Sequence, residues 1–192
     1  MLKIHTLVLG IYQVNCYVVH KENSDRCVVI DPGYEPEKIA EYLKKQGLKL
    51  EAILLTHGHF DHVGGVKALA KDCKVYLHEL EHAMPQALTA GPLYATDYYS
   101  GRFTVADMDF TVLHTPGHTP GSVCLICEDA MFSGDTLFAG SCGRTDLPGG
   151  DWDTIRISLH RLTDLPGDYQ VFPGHAEETT LNQERQYNPY LR

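Results

Sequence analysis

No stretch of this chain approaches the roughly 20 apolar residues that a membrane-spanning helix needs. The opening Met1-Leu2-Lys3-Ile4-His5 also lacks the apolar core of a secretory signal. Together these absences lead us to expect a cytoplasmic protein with no membrane partner. Positive charge is scarce as well: 16 Lys and Arg face 25 Asp and Glu, a formal net charge of −9. Nucleic-acid binding rests on a basic footprint for the phosphates, so nucleic acid is excluded as the main partner. Small anionic substrates stay open, because bound cations invert the field locally. The six cysteines follow no disulfide framework and are expected to be reduced thiols. Cys124 and Cys127 form a C-x-x-C, but within an apolar run at 122–127 that reads as a strand. Side chains three apart on a strand face opposite ways, so this pair should fill core rather than chelate.

What is present suits an ordinary globular domain. The chain has 192 residues, 43% of them hydrophobic and 21% charged, enough for one domain over 1–192 with a full core. Alternating or continuous apolar patterns predict strands over Leu2–Leu9, 15–20 and Arg26–Ile30. Residues 35–46 read as a helix, with Pro36 in its first turn, an Ile39-Ala40-Leu43 stripe and Gly47 as the stop. A strand at 51–55, a helix at 63–70 and a strand at 74–78 follow. The segment 79–101 is less regular, with some helix and then a polar, tyrosine-rich stretch. Strands return at 109–114, 122–127, 130–133 and 169–172, with helices at 151–162 and 177–187. The early strands have hairpin-length spacing, so two sheets covered by helices fit better than one parallel sheet.

Chemistry concentrates in Thr56-His57-Gly58-His59-Phe60-Asp61-His62, where His57, His59, Asp61 and His62 crowd four donors into six positions. Imidazole and carboxylate together suit zinc, manganese or iron. The run follows Ala52-Ile53-Leu54-Leu55, an apolar stretch that reads as a buried strand and would present the loop rigidly. A compact loop cannot surround an ion, so further donors must come from elsewhere. Three candidates stand on glycine-flanked turns after apolar strands: His118 in Pro116-Gly117-His118, Asp135 in Ser133-Gly134-Asp135, and His175 in Pro173-Gly174-His175. His5, His20, His78, His82, His114 and His160 have no second convergent donor near them in sequence and are left as non-ligands. Tyr12, Tyr94, Tyr98 and Tyr99 read as solvent-facing rather than pocket-lining.

The series His57-x-His59-x-Asp61-His62, His118, Asp135, His175 resembles the metallo-β-lactamase superfamily over nearly the whole chain. That resemblance implies an α/β fold, an αββα sandwich of two mixed β-sheets flanked by helices, with the site along one edge. It assigns His57, His59 and His118 to one divalent metal and Asp61, His62 and His175 to a second. Asp135 would bridge them, and Asp31 would support the metal loop without ligating. Zinc is the first choice of metal, with iron or manganese as the others.

Within the superfamily, Asp135 stands where the best-known lactamases have cysteine, which points away from β-lactam hydrolysis. His59 departs from flavodiiron proteins, which carry a glutamate there, and the acidic balance departs from the tRNA-processing branch. Gly134-Asp135-Thr136-Leu137-Phe138, Cys142-Gly143-Arg144-Thr145-Asp146 and the ending Asn188-Pro189-Tyr190-Leu191 are similar to the short bacterial form of glyoxalase II, the hydroxyacylglutathione hydrolase. The implied activity is hydrolysis of a small-molecule thioester by water activated between two metals, with Asp61 orienting the nucleophile and Arg144 contacting a substrate anion. A structural salt bridge from Arg144 to Asp146 or Asp151 is the other reading of that residue. Two departures bear on the thiol. The chain stops before the basic helical domain of the long enzymes, and Ala176-Glu177 replaces the usual Gly-Pro. A mononuclear iron persulfide dioxygenase, using His57, His118 and Asp135, is the alternative.

Overall fold

We describe residues 1–191 of a computed structural model. Six strands form the first sheet: β1 (Leu2–Leu9), β2 (Val14–Lys21), β3 (Arg26–Ile30), β4 (Lys49–Leu54), β5 (Lys74–Leu77) and β6 (Asp97–Tyr98), in that spatial order. β1 to β3 pair antiparallel, as their short connections require, and β3 to β6 pair parallel. The second sheet contains β7 (Arg102–Val105), β8 (Met108–His114), β9 (Val123–Cys127), β10 (Ala130–Gly134), β13 (Gln170–Pro173) and β14 (Thr179–Thr180). Its order is β14-β13-β10-β9-β8-β7, with β10 and β13 parallel and the other neighbours antiparallel. A small hairpin of β11 (Leu137–Phe138) and β12 (Ser141–Cys142) follows β10.

Period-two patterning decides which face each side chain covers. Along β4, Ala52 and Leu54 join Tyr17, Ile30, Phe110, Leu125 and Phe132 between the sheets. Their neighbours Ile53 and Leu55 face outward under α2 (Phe60–Val63) and α3 (Val66–Leu69). Helix α1 (Pro36–Gln46) buries Ile39 and Leu43 on that same outer face, and α4 (Trp152–Thr163) and α5 (Leu181–Tyr187) cover the second sheet. Helices therefore flank two mixed sheets, the expected αββα sandwich. Cys124 packs under α4 while Cys127 packs between the sheets, so the C-x-x-C pair does part to opposite faces.

Two local expectations change, and the irregular segment takes definite form. The helix expected over 63–70 is two short ones, because Gly64 and Gly65 press their backbone onto the turn at Pro32 and Gly33. Gly65 N–H donates to the Pro32 carbonyl at 2.7 Å, and a side chain at either glycine would collide with carbonyl oxygens. The helix expected over 177–187 starts later: Thr179–Thr180 pairs with β13, and the Thr180 hydroxyl caps α5 by accepting from Gln183 N–H. The irregular 79–101 segment holds a 3-10 turn at Glu79–Ala83 and the two-residue edge strand β6. Among the described residues, no helix is long and apolar enough to cross a membrane.

Candidate metal centre

The loop leaving β4 carries His57, His59, Asp61 and His62, while turns after β8, β10 and β13 carry His118, Asp135 and His175. The seven donors meet at one edge of the sandwich. Their groupings are His57-His59-His118 and Asp61-His62-His175, each with donor atoms within 4.8 Å of one another. Asp135 lies between the two: its Oδ1 is 3.4 Å from His62 Nε2, and its Oδ2 is 3.5 Å from His118 Nε2 and 3.7 Å from His175 Nε2. The sequence-derived donors are thus brought together, all seven of them. None of His5, His20, His78, His82, His114 and His160 joins such a group among the described residues.

Close backbone approach makes this possible. Gly134 has φ of +49°, and a Cβ there would strike the Thr56 side chain, so only glycine lets β10 end against the histidine loop and release Asp135. At Gly174 a Cβ would strike Asp135 Oδ1 and lie 2.7 Å from His62 Cε1. Gly117, at φ of +131°, accommodates the first turn of α4: its carbonyl accepts from Asp151 N–H at 2.8 Å, and Ser158 Oγ donates to the Pro116 carbonyl at 2.7 Å.

Four of the histidines are held by one ring nitrogen with the other directed at the cluster. His57 Nδ1 donates to Thr56 Oγ1 at 3.0 Å, and that hydroxyl donates to Asp31 Oδ2 at 2.6 Å. His62 Nδ1 donates to the same Asp31 Oδ2 at 3.0 Å, while Asp31 Oδ1 accepts from Thr56 N–H at 2.8 Å. Carbonyl oxygens of Arg144 and Tyr12 accept from His118 Nδ1 at 2.7 Å and His175 Nδ1 at 3.1 Å. Such partners fix the tautomer and leave Nε2 as the lone-pair donor. His59 uses its other face, with Nδ1 2.9 Å from His118 Nε2.

The donor set fits a cation. His57 Nε2, His62 Nε2 and Asp135 Oδ1, all directed at the cluster, are three of the five buried side-chain polar atoms left without a hydrogen-bond partner among the described residues. Buried polar atoms are rarely left so, and several at one place call for an ion. Electrostatics separate the two groups. Burial, together with neighbouring imidazoles, lowers His57 and takes His59 down to about 4. Burial would lower His62 too, but Asp135, Asp31 and Asp61 push it up to about 9. Burial would raise Asp61, yet the hydrogen bond to His175 and the nearby His62 hold it at about 2.

The cluster floors a cleft of about 430 Å³ whose walls include Tyr12, Phe60, Leu88, Phe138 and Leu147. Tyr12 faces solvent as expected, at 51% exposed, and also lines the rim of this cleft. Tyr99 departs from a solvent-facing role: it is half-buried and donates to the Leu55 carbonyl at 3.1 Å. Arg144 lines the cleft and pairs with Asp146 through Nε and Nη2, both at 2.7 Å, which is the salt-bridge reading of it. Sequence reasoning missed Thr56 and Glu81, a buried carboxylate that accepts from Gly58 N–H at 2.5 Å and Gly121 N–H at 2.6 Å. Burial raises the Glu81 carboxyl despite these donors. Thr56 adjoins the histidine run and was legible there; Glu81 lies in the irregular segment and carried no signal.

Known proteins match the chain end to end. A probable metallo-hydrolase, YqgX, of Bacillus subtilis is 38% identical over 99% of this chain and 98% of its own. A hydroxyacylglutathione hydrolase, GloC, of Haemophilus influenzae is 32% identical with the same coverage. Among solved structures, TTHA1623 in a di-iron-bound form has a TM-score of 0.85 at 41% identity, covering 97% of this chain and 100% of that one. BLEG-1, a B3 metallo-β-lactamase, has a TM-score of 0.90 at 38% identity over 100% and 99%. Likeness to a protein named as a lactamase means that Asp135 alone carries no decision about β-lactams. ETHE1 from Myxococcus xanthus has a TM-score of 0.80 at 27% identity, covering 97% and 83%. The family model for these enzymes matches residues 9–175, from the end of β1 to the last of the seven donors, and the chain belongs to the metallo-beta-lactamase superfamily.

Proposed function

We propose that the protein is a dinuclear metal-dependent hydrolase of small thioesters, of the hydroxyacylglutathione hydrolase kind. The observation that carries this reading is the completeness of the second group, Asp61-His62-His175, beside the first, with Asp135 between them. His57, His59 and His118 would hold one ion, Asp61, His62 and His175 the other, and Asp135 would be shared. Two divalent ions at such a site supply an acidified water and polarise a carbonyl. Zinc, iron and manganese all suit these donors, and the di-iron form of a 41% identical neighbour supports iron as a working metal.

The residues themselves do the positioning. Asp61, ionised above about pH 2, is the acceptor that orients the attacking water toward the thioester carbon. Tyr12, Phe60, Phe138 and Leu147 supply apolar walls against which the acyl and thiol arms would pack. Arg144 is the anion contact at the mouth of the cleft. A thiolate is a good leaving group, so no strong general acid is required.

The test is hydrolysis of S-lactoylglutathione by protein loaded separately with zinc, manganese and iron, compared with Asp135→Ala. Turnover with wild-type protein and a loss of orders of magnitude in the variant are expected. A single-iron persulfide dioxygenase using His57, His118 and Asp135 is the second reading, which the complete second group disfavours. Iron-dependent oxygen uptake with a persulfide, and no thioester cleavage with any metal, would replace the first reading by the second.

A further inference from the structure

Glu81 belongs to the 3-10 turn at Glu79–Ala83, inside the segment to which the sequence assigned no role. Its side chain is 0% exposed. A carboxylate taken that far from water persists only where donors replace its hydration. Here they are the N–H of Gly58, at 2.5 Å from Oε2, and the N–H of Gly121, at 2.6 Å from Oε1. Gly58 separates His57 from His59, and Gly121 follows His118. One carboxylate therefore grips both backbone segments that present the first group of donors.

Both segments approach it backbone-first because both contact residues are glycine. A Cβ on Gly58 would lie 2.9 Å from Oε2, and one on Gly121 would lie 2.8 Å from Cγ and Oε1. Charge-assisted bonds of this kind are shorter and stronger than neutral ones, and they hold position as well as energy. Asp31 and the carbonyl of Arg144 orient imidazole rings; Glu81 touches no ring and acts on the loops instead.

We propose that Glu81 is a positioning residue of the metal centre: a buried clamp that fixes the spacing of the His57-His59 loop against the His118 turn. The proposal rests on reading His57, His59 and His118 as metal ligands. It gives the irregular 79–101 segment a function, and it explains why glycine stands at 58 and at 121.

The experiment titrates the metal-free full chain with cobalt(II) and zinc(II), reading affinity by chelator competition and geometry from the visible cobalt absorption. Three variants are compared with wild type. Glu81→Gln keeps shape but turns an amide donor toward a backbone N–H. Gly121→Ala keeps the carboxylate and wedges the clamp open. Glu184→Gln is the control, since Glu184 is a carboxylate only 2% exposed that accepts from Thr179 Oγ1, Gly140 N–H and Asn188 Nδ2 without touching either loop. Glu81→Gln and Gly121→Ala should bind the first ion about 10- to 100-fold more weakly, with an altered cobalt spectrum, as partners that orient ligands generally do. Glu184→Gln should bind as wild type does.

Wild-type affinity and spectrum in Glu81→Gln would overturn the clamp while leaving the metal centre intact. Equal weakening in Glu184→Gln would also overturn it, by reducing the effect to lost stability. A wild-type chain that binds neither ion would overturn the metal reading and the clamp together. If Glu81→Gln does not fold, Gly121→Ala decides alone.

Discussion

His62 Nδ1 donates to Asp31 Oδ2 at 3.0 Å, and that same oxygen takes the Thr56 hydroxyl, which in turn holds His57. One carboxylate thus orients an imidazole in each of the two donor groups. Asp31 has φ of +50°, a conformation that Asn shares readily, so Asp31→Asn isolates the loss of charge from backbone strain. The variant should fold and lose about 10- to 100-fold in metal affinity, measured by chelator competition. Unchanged binding would show that Asp31 holds the loop and nothing more.

Protonation of His62 predicts how the metal-free fold responds to alkali. Its folded value is raised to about 9 from an ordinary 6.5, so its contribution is complete below about 6.5 and is lost as pH climbs through about 9. Urea midpoints of metal-free protein should therefore fall across that interval, and His62→Gln should flatten the decline. Asp61 has the opposite sign: held at about 2, it contributes above about 3.9 and loses that contribution as pH drops through about 2. A midpoint that stays level from pH 6.5 to 9 in the wild type would refute the assignment for His62.

Gly174→Ala tests the crowding beside Asp135. The added methyl meets Asp135 Oδ1 and His62 Cε1, while nothing in the φ of Gly174 forbids alanine. We expect hydrolytic turnover to fall at least tenfold, as a displacement of about 1 Å at a reacting centre costs up to about 10²-fold. The thermal midpoint should stay near that of wild type. Full activity would mean that the turn yields without moving either donor.

Arg144 is the one Lys or Arg among the described residues lining the cleft, and Asp146 already occupies one edge of its guanidinium through Nε and Nη2. A substrate carboxylate would share the guanidinium's charge with Asp146. Asp146→Asn should therefore raise kcat/KM for S-lactoylglutathione relative to the lactoyl ester of uncharged N-acetylcysteamine, through KM. A constant ratio between the two esters would remove Arg144 from substrate recognition. Because the pair is solvent-exposed, the variant's thermal midpoint should not move.

Leu159 tests the layer behind the second sheet. It is 0% exposed and packs in the cluster that joins α4 to Met131, Val171 and Leu181. Leu159→Ala should cost about 2–5 kcal/mol of unfolding free energy by urea titration, the range for a truncated buried leucine.

The donors were legible because each imidazole or carboxylate is a side chain at a punctuated position: a run of four after an apolar strand, and three turns marked by glycine. Their partners were less so. The carbonyls of Tyr12 and Arg144 that hold His175 and His118 belong to the backbone, which every residue carries alike, so no letter announces them. The two Pro-Gly-His turns look equivalent in sequence, yet Gly117 makes room for α4 and Gly174 makes room for Asp135. Period-two patterning placed the long strands. Two-residue strands such as β6 and β14 are too short to show a period, and pairing alone creates them. Helix continuity over 63–70 failed for a related reason: the contact of Gly64 and Gly65 with Pro32 and Gly33 is made across more than thirty residues and overrides local propensity.

The loop after β4 extends one sheet, while His118, Asp135 and His175 end strands of the other. An ion shared between them would be a strut across the seam of the sandwich. Chemistry and cohesion would then draw on a single supply: a dose of chelator that removed the ion would also remove a link between the two layers. The temperature such a molecule tolerates would become a property of its surroundings, set by available metal as well as by the 192 residues of its chain.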